Sequence, residues 1–122
     1  MNESRAVPRV EPLQPPYAPD IEAALGRMTP PGVPPLALFR TFARSMPFAS
    51  AINPLGRFML TGRKSGGASF DLRSREIVIL RVCALCRCEY ERGVHVAGFQ
   101  AKAELTEAHV TATLLGHEND DV

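Results

Sequence analysis

The placement of proline most constrains what this sequence can fold into. Nine of its eleven prolines fall within the first 35 residues. Proline fixes φ and removes a backbone N–H donor, so this segment is predicted to be extended, turning or divided into short helices. One short helix fits inside it, with Asp20 as its N-cap and "IEAALGRM" as its body. We therefore divide the chain into a proline-rich segment, 1–35, and a helical domain, 36–122.

Helical spacing of apolar residues begins where the proline-rich segment ends. "PPLALFRTFARSM" predicts a helix with Pro35 in its first turn, and "NPLGRFMLTG" predicts a further short helix that ends near Gly62. "RKSGGASF", residues 63–70, predicts a solvated loop, since the spacing of a phosphate-binding P-loop is absent.

A longer helix is predicted after this loop. Asp71 is a good N-cap for "LRSREIVILRVCALC", although its β-branched run is also typical of a buried strand. Length favours a helix, buried on most sides. Further helices are predicted over "VAGFQAKAEL" and, capped by Thr106, over "EAHVTATLLGH". The sequence as a whole predicts an all-helical (all-α) protein of five or six short helices.

Composition excludes several classes of partner. The net charge is +1, which gives no electrostatic reason to expect nucleic acid or an anionic membrane surface. No apolar run reaches the roughly 18 residues that a membrane-spanning helix needs. The first residues lack the apolar core of a signal peptide, so we expect a cytoplasmic protein. In that compartment its three cysteines are free, reactive or metal-binding thiols rather than a disulfide framework.

The stretch "CRCEYERGVH", residues 86–95, concentrates the chemically reactive side chains. If residues 88–98 form a helix, Glu91 lies about 60° and His95 about 20° from Cys88 around its axis. Glu91 and His95 are then close enough for a direct hydrogen bond. Cys88 and His95 are about 10 Å apart along the axis, so protons would pass between them through Glu91 or water. The positive end of the helix and the cation of Arg92 would favour the Cys88 thiolate.

Two other interpretations of this stretch stay open. A carboxylate and a histidine four residues apart are a common pair on a helix surface, and a cysteine is often only a small buried apolar residue. Zinc is the second alternative, because three cysteines and a histidine have the right chemistry for a structural site. On one helix, however, Cys88 would point away from the other thiols. The candidate ligands are Cys83, Cys86, Cys88 and His95.

"REIVILRVCALCRCEYERGVHVAGF" resembles the carboxymuconolactone decarboxylase family, which includes the alkylhydroperoxidase D-like proteins. The resemblance is strong over roughly residues 70–110. It implies an all-helical fold, a homo-oligomer (trimer or hexamer), and no cofactor or metal. Peroxidase members of the family use a glutamate, then a CxxC pair, then a histidine four residues after the second cysteine. Family members also continue with further helices, so the helical domain is expected to be partial.

The family pattern assigns a role to four residues of this chain. Glu76 falls on the family's glutamate, Cys88 on the first cysteine and His95 on the histidine, whereas Glu91 stands where the second cysteine would be. The usual CxxC disulfide cycle therefore cannot run. A sulfenic acid on Cys88 would be resolved instead by Cys86 or Cys83, or by a separate small thiol or partner protein.

Three functions follow from these assignments. The first is a thiol-dependent, peroxidase-like oxidoreductase, with Cys88 as reactive thiol, Glu91 and His95 as proton relay and Glu76 as supporting base. Its partners would be a small-molecule peroxide and a thiol reductant. The second is a cofactor-free lyase that decarboxylates a lactone acid with Glu91 and His95, leaving Cys88 incidental. The third is a non-catalytic oligomeric helical module or an inactive truncated form.

Overall fold

The predicted all-helical fold class is confirmed. The computed structural model describes residues 9–61, 66–67 and 69–116, and within these ranges it contains helices and no strand. None of the described helices is both long and apolar enough to cross a membrane. Gly62 and residues 63–65 and 68 of the predicted loop lie outside the described ranges. The helices are α1 (Pro19–Met28), α2 (Ala37–Phe42), α3 (Met46–Leu60), α4 (Leu72–Leu85), α5 (Glu89–Phe99) and α6 (Glu107–Leu115).

The helices divide into two compact units. The N-terminal unit is Met1–Leu60 and the C-terminal unit is Thr61–Val122. This division falls between α3 and α4, whereas the division drawn from proline content falls at residue 35. The proline-rich segment is thus grouped with the next two helices.

The start of α1 corrects the predicted cap. Ala18 is the N-cap and Pro19 the first helical residue, so Asp20 lies inside the first turn. Proline suits the first position because its fixed φ is already helical and its missing N–H would have no partner there. An acidic side chain in the first turn also interacts favourably with the positive end of the helix. Similarly, Leu36 is the N-cap of α2, and Pro35 precedes that helix rather than lying in it.

Helix α3 also differs from the prediction. It runs without interruption from Met46 to Leu60 and includes Pro54, where the sequence predicted a separate short helix. A proline inside a helix removes one backbone hydrogen bond, and the helical turns on both sides of Pro54 continue across that loss. The core of the N-terminal unit consists of small and aliphatic side chains from all three helices: Ala24, Leu25, Ala43 and Ala49.

In the C-terminal unit, α4 begins where the sequence predicted. The carboxylate of Asp71 accepts hydrogen bonds from the backbone N–H of Ser74 (2.8 Å) and from its hydroxyl (3.0 Å). The prediction that α4 is buried on most sides is wrong for the single chain. One stripe of α4 is buried, formed by Glu76, Leu80 and Cys83. The opposite face is exposed: Val78, Val82 and Leu85 are 54%, 51% and 66% accessible.

Helix α5 is shorter than predicted, and α6 begins as predicted. α5 ends at Phe99, and a turn follows in which Glu104 adopts a positive φ of 54°. This turn brings Leu105 into the core, which a continuing helix would not do. Thr106 then caps α6 through a reciprocal capping box: its hydroxyl accepts from the His109 backbone N–H, and the His109 ring accepts from the Thr106 backbone N–H.

Helices α5 and α6 both contact α4, and an apolar cluster fills the space between them. The buried members of the cluster are Leu80, Ala103, Leu105 and Val110. Arginines reinforce the contacts, since Arg92 of α5 donates to the Val110 carbonyl at 2.9 Å and Arg81 of α4 donates to the Thr113 carbonyl at 3.3 Å. α6 ends at Gly116 with a φ of 76°, and a Cβ there would lie 2.6 Å from the Arg81 guanidinium. Both conditions favour glycine.

The Asp71 cap predicts that α4 is sensitive to acid. Hydrogen bonds from the backbone and side chain of Ser74 lower the pKa of Asp71 below its ordinary value. Because the folded-state pKa is the lower one, the stabilisation is complete above the unfolded-state pKa and is lost as pH falls through the folded-state pKa.

Two cap variants separate this charge effect from capping itself. We expect Asp71→Asn to keep the cap, because asparagine is an equally good N-cap, and to flatten the acid limb of the melting temperature against pH. Asp71→Ala should lower the melting temperature at neutral pH as well. Thermal melts from neutral to acidic pH measure both effects. An acid limb of unchanged steepness in Asp71→Asn would be the contrary result.

Candidate active site

A buried carboxylate–imidazole pair lies at the centre of the candidate site. Glu76 is in the middle of α4 and His95 in the second half of α5, and only 1% and 7% of their surfaces are accessible. Their atoms Oε2 and Nδ1 are 2.7 Å apart. When the Nδ1–H donates to a carboxylate, the ring is held in one orientation and its Nε2 is left to react. The structure thus brings together two residues that the sequence placed in one site only through the family resemblance.

Arg75 binds the second oxygen of Glu76. Its Nε–H donates to Oε1 at 2.9 Å, and its Nη2 lies 2.8 Å from the same oxygen as an ion-pair contact. A carboxylate so completely removed from water requires a nearby cation, and Arg75 supplies one. Arg75 was not among the residues predicted from the sequence. Its only signal was a basic residue directly before an acid that lies on the apolar stripe of the predicted helix.

Phe99 supports the imidazole from one side. Its ring stacks against that of His95, with centroids 5.3 Å apart and planes inclined by 27°. The guanidinium of Arg75 also lies over this ring, 5.1 Å from its centroid, and the ammonium of Lys102 lies 5.8 Å away. Phe99 was likewise missed, although it follows His95 by one helical turn and the spacing alone would have indicated contact.

Glu91 lies at the other nitrogen of His95. Its Oε1 is 3.4 Å from Nε2, which confirms the contact expected from the spacing of four residues. The distance is longer than a well-formed hydrogen bond, and the Glu91 side chain is 31% exposed. His95 therefore has one carboxylate at each ring nitrogen, a buried one at Nδ1 and a partly solvated one at Nε2.

Cys88 is exposed and is the N-cap of α5, so it precedes the helix, which begins at Glu89 and not at residue 88 as supposed from the sequence. Among the described residues, its thiol makes no hydrogen bond to Glu91 or His95.

The other two cysteines differ in environment. Cys83 lies on the buried stripe of α4 and is 6% accessible, whereas Cys86 is exposed at the C-cap of the same helix. Burial, followed by the negative charges of Cys88, Glu91 and Cys86, raises the pKa of the Cys83 thiol. Cys83 is therefore a protonated thiol at neutral pH.

The zinc alternative finds no support in the geometry. Within the described ranges, no three histidine, cysteine or acidic side chains are placed to hold a metal ion.

Arg92 is directed differently from the sequence expectation. Its Nη2 donates to the Val110 carbonyl of α6, and its buried Nη1 has no hydrogen-bond partner among the described residues. The charge of Arg92 opposes the rise in the pKa of Cys83, although it is the weakest of the influences on that thiol. The guanidinium thus acts near the thiols while its hydrogen bond joins α5 to α6.

Comparison of this chain with family models, with curated proteins and with solved structures finds no match. The family resemblance therefore stays a prediction from the sequence, and the functional argument depends on the geometry of the site.

Proposed function

We propose that the protein is a thiol-dependent, peroxidase-like oxidoreductase that reduces hydroperoxides through Cys88. The observation that carries this proposal is the buried Glu76–His95 pair, in which the other ring nitrogen of His95, Nε2, lies 3.4 Å from Glu91. The exposed thiol opens α5, the helix that carries His95 and Glu91. The reduction of a peroxide requires a nucleophile and a fixed proton carrier, and these two groups belong to the same helix and its N-cap.

Each group has a defined part in the reaction. The Cys88 thiolate attacks one oxygen of the hydroperoxide, so that an S–O bond forms while the O–O bond breaks. The departing oxygen takes up a proton from His95 Nε2, directly or through a water, and leaves as an alcohol or as water. Cys88 becomes a sulfenic acid. A proton from solvent then reaches His95 Nε2 by way of Glu91, which is partly solvated, while Glu76 keeps the ring oriented through Nδ1.

A lyase is the second candidate, and one observation favours it. The partner of His95 Nε2 is the carboxylate of Glu91 rather than a thiol. In this alternative, Glu91 and His95 exchange protons with a lactone acid during its decarboxylation, no cofactor takes part, and Cys88 has no role.

Replacement of Cys88 by serine separates the two candidates. If the thiol is the nucleophile, Cys88→Ser abolishes the consumption of hydrogen peroxide and of an alkyl hydroperoxide. Cys86→Ser is the matched control, because that thiol is also exposed but lies outside α5. Peroxide consumption that survives in Cys88→Ser contradicts the proposal. Release of carbon dioxide from carboxymuconolactone by Cys88→Ser establishes the lyase, and inactivity of the wild-type protein in both assays leaves a non-catalytic module.

We further propose that the chain forms a homo-oligomer, a trimer or hexamer, through the exposed face of α4. The apolar stripe of Val78, Val82 and Leu85 carries no charge and is more than half accessible along its length. Such a stripe is typical of a surface covered by another copy. Light scattering coupled to size-exclusion chromatography should give a multimer that Val82→Glu dissociates and Thr111→Glu, at an exposed position of α6, does not. A monomeric wild-type protein would contradict this assembly.

A further inference from the structure

The turn that joins α4 to α5 places two cysteines at its two ends. The N–H of Cys88 donates to the Cys83 carbonyl at 2.8 Å, and the N–H of Arg87 donates to the Ala84 carbonyl at 3.2 Å. Arg87 itself has a positive φ of 53°. These two bonds and the left-handed residue between them define a Schellman motif, in which Cys83 is the first residue and Cys88 the last.

This motif brings particular side chains together. The residue after the left-handed position commonly contacts the side chain of the residue whose carbonyl closes the outer hydrogen bond. In this chain those two positions are Cys88 and Cys83. Burial is the largest cause of the raised pKa of Cys83. The charge of Cys88 is the second, and the charges of Glu91 and Cys86 follow. The backbone of the motif therefore places Cys83 and Cys88 at positions whose side chains commonly meet, and the effect of Cys88 on the pKa of Cys83 agrees with such proximity.

We propose that Cys83 is the internal resolving thiol for Cys88, and that the oxidised protein carries a Cys83–Cys88 disulfide across this turn. The proposal deepens the peroxidase function and depends on it for the formation of the sulfenic acid. It also gives a role to Cys83, which lies on the same buried stripe of α4 as Glu76. Since Glu91 occupies the position of the second cysteine in a CxxC pair, the resolving thiol comes from the preceding helix.

The resolving step is balanced as follows. Cys83, as thiolate, attacks the sulfur of the Cys88 sulfenic acid, so that the S–S bond forms and the S–O bond breaks. The hydroxide that leaves combines with the proton that Cys83 released, and water is the product. Over both steps the two cysteines lose two electrons and the hydroperoxide gains them. A small thiol or dithiol returns the two electrons through a mixed disulfide.

Burial and the charge of Cys88 both affect when Cys83 becomes reactive. Burial first, and then the charge of Cys88, raise the pKa of Cys83 and favour its protonated form. Oxidation converts Cys88 into a neutral sulfenic acid and removes that charge. Burial remains, so the pKa of Cys83 stays above its ordinary value and disulfide formation should accelerate as pH rises.

Cys86 is a poorer partner for either cysteine. It follows Cys83 by three residues on the same helix, a spacing that sets the Cβ atoms about 5–6 Å apart. A disulfide requires about 3.5–4.5 Å between Cβ atoms. Cys86 is also a poor partner for Cys88. In the Schellman motif the last residue, Cys88, is paired with Cys83, whereas the C-cap residue, Cys86, is exposed.

Peptide mapping tests the pairing. The protein is treated with equimolar hydrogen peroxide, alkylated, and digested with trypsin, which cleaves after Arg81, Arg87 and Arg92. Residues 82–87 then carry Cys83 and Cys86, and residues 88–92 carry Cys88. We expect the two peptides to be joined by one disulfide with Cys86 alkylated. We also expect the link to survive in Cys86→Ser and to be lost in Cys83→Ser and Cys83→Ala.

A trap for sulfenic acid distinguishes failure of this inference from failure of the proposed function. In both Cys83 variants, dimedone should label Cys88 heavily, whereas in the wild-type protein it should label Cys88 only transiently. A stable Cys88 sulfenic acid in the wild-type protein, or a link through Cys86, would overturn the inference and leave the peroxidase intact. If peroxide does not oxidise Cys88, the peroxidase fails. Oxidation with diamide would then still test the pairing. If diamide formed no Cys83–Cys88 disulfide, the proposed pairing would be refuted.

Discussion

Replacing Glu76 with alanine is expected to lower the free energy of unfolding of the C-terminal unit by about 3–5 kcal/mol, the usual cost of removing one partner of a buried ion pair. Glu76 is 1% accessible, and both of its oxygens are engaged, one by Arg75 and one by His95. The alanine variant takes away the acceptor of the imidazole and the anion beside the guanidinium at the same time. Among the described charged side chains of this unit, Glu76 is the most completely buried, and it contacts two basic side chains.

Urea denaturation followed by tyrosine fluorescence measures this loss of stability in the C-terminal unit. The chain has two tyrosines, Tyr17 and Tyr90, so a Tyr17→Phe background leaves Tyr90 fluorescence to report on the C-terminal unit. Glu91→Ala is the matched control: it also removes a carboxylate beside His95, but from a position that is 31% exposed, and should cost no more than about 1 kcal/mol. If the two variants lost equal stability, Glu76 would not be a buried partner of Arg75 and His95.

His95→Gln is expected to slow the reduction of hydroperoxides by about 10²–10⁴-fold, the usual contribution of a positioned general acid or base. Glutamine fills a similar volume and can still donate to Glu76, so the fold is kept while the proton carrier is removed. The rate is measured by stopped-flow consumption of hydrogen peroxide with a dithiol as reductant.

The control for this loss is another buried histidine. His109 lies in the capping box of α6 and has no contact with Glu76 or Glu91 among the described residues. We expect His109→Gln to weaken that cap by about 1 kcal/mol and to leave the rate of peroxide reduction unchanged. If both variants were slowed equally, the loss in His95→Gln would reflect general destabilisation instead of proton transfer.

Local signals predicted the starts of α4 and α6 in the C-terminal unit. Asp71 and Thr106 cap α4 and α6 as expected, because their short side chains reach backbone N–H groups two or three residues ahead. Proline was less informative. Pro19 and Pro54 lie inside helices, since proline is tolerated at a first position and a longer helix can continue across it.

Only part of the site could be predicted from spacing. The Glu91–His95 contact follows from helical periodicity, because the two residues are on one helix. Glu76 is 19 residues from His95 in sequence, and only tertiary contact between α4 and α5 brings their side chains together. Helical periodicity does not predict contacts between residues of different helices. Glu76 was therefore predicted only from the family resemblance, and Arg75 was not predicted.

The apolar run of α4 shows a further limit of composition. The apolar run that includes Val78 and Val82 predicted a helix buried on most sides, yet these two residues are on its exposed face. Apolar content indicates that a surface is expected to be covered, but it does not distinguish cover by the same chain from cover by another copy. The proposed oligomer is the interpretation that reconciles the sequence with the exposed stripe.

The most direct test of the account compares two reactions of the same sulfur atom. In a Cys86→Ser background, the rate of Cys88 alkylation by iodoacetamide depends on the thiolate alone, whereas its oxidation by a hydroperoxide also needs a proton at the departing oxygen. Glu76→Gln removes the charge that orients His95 but preserves the shape of the side chain. The account predicts that this variant loses at least about tenfold in oxidation rate while alkylation is unchanged. Equal slowing of both reactions, or of neither, would contradict it.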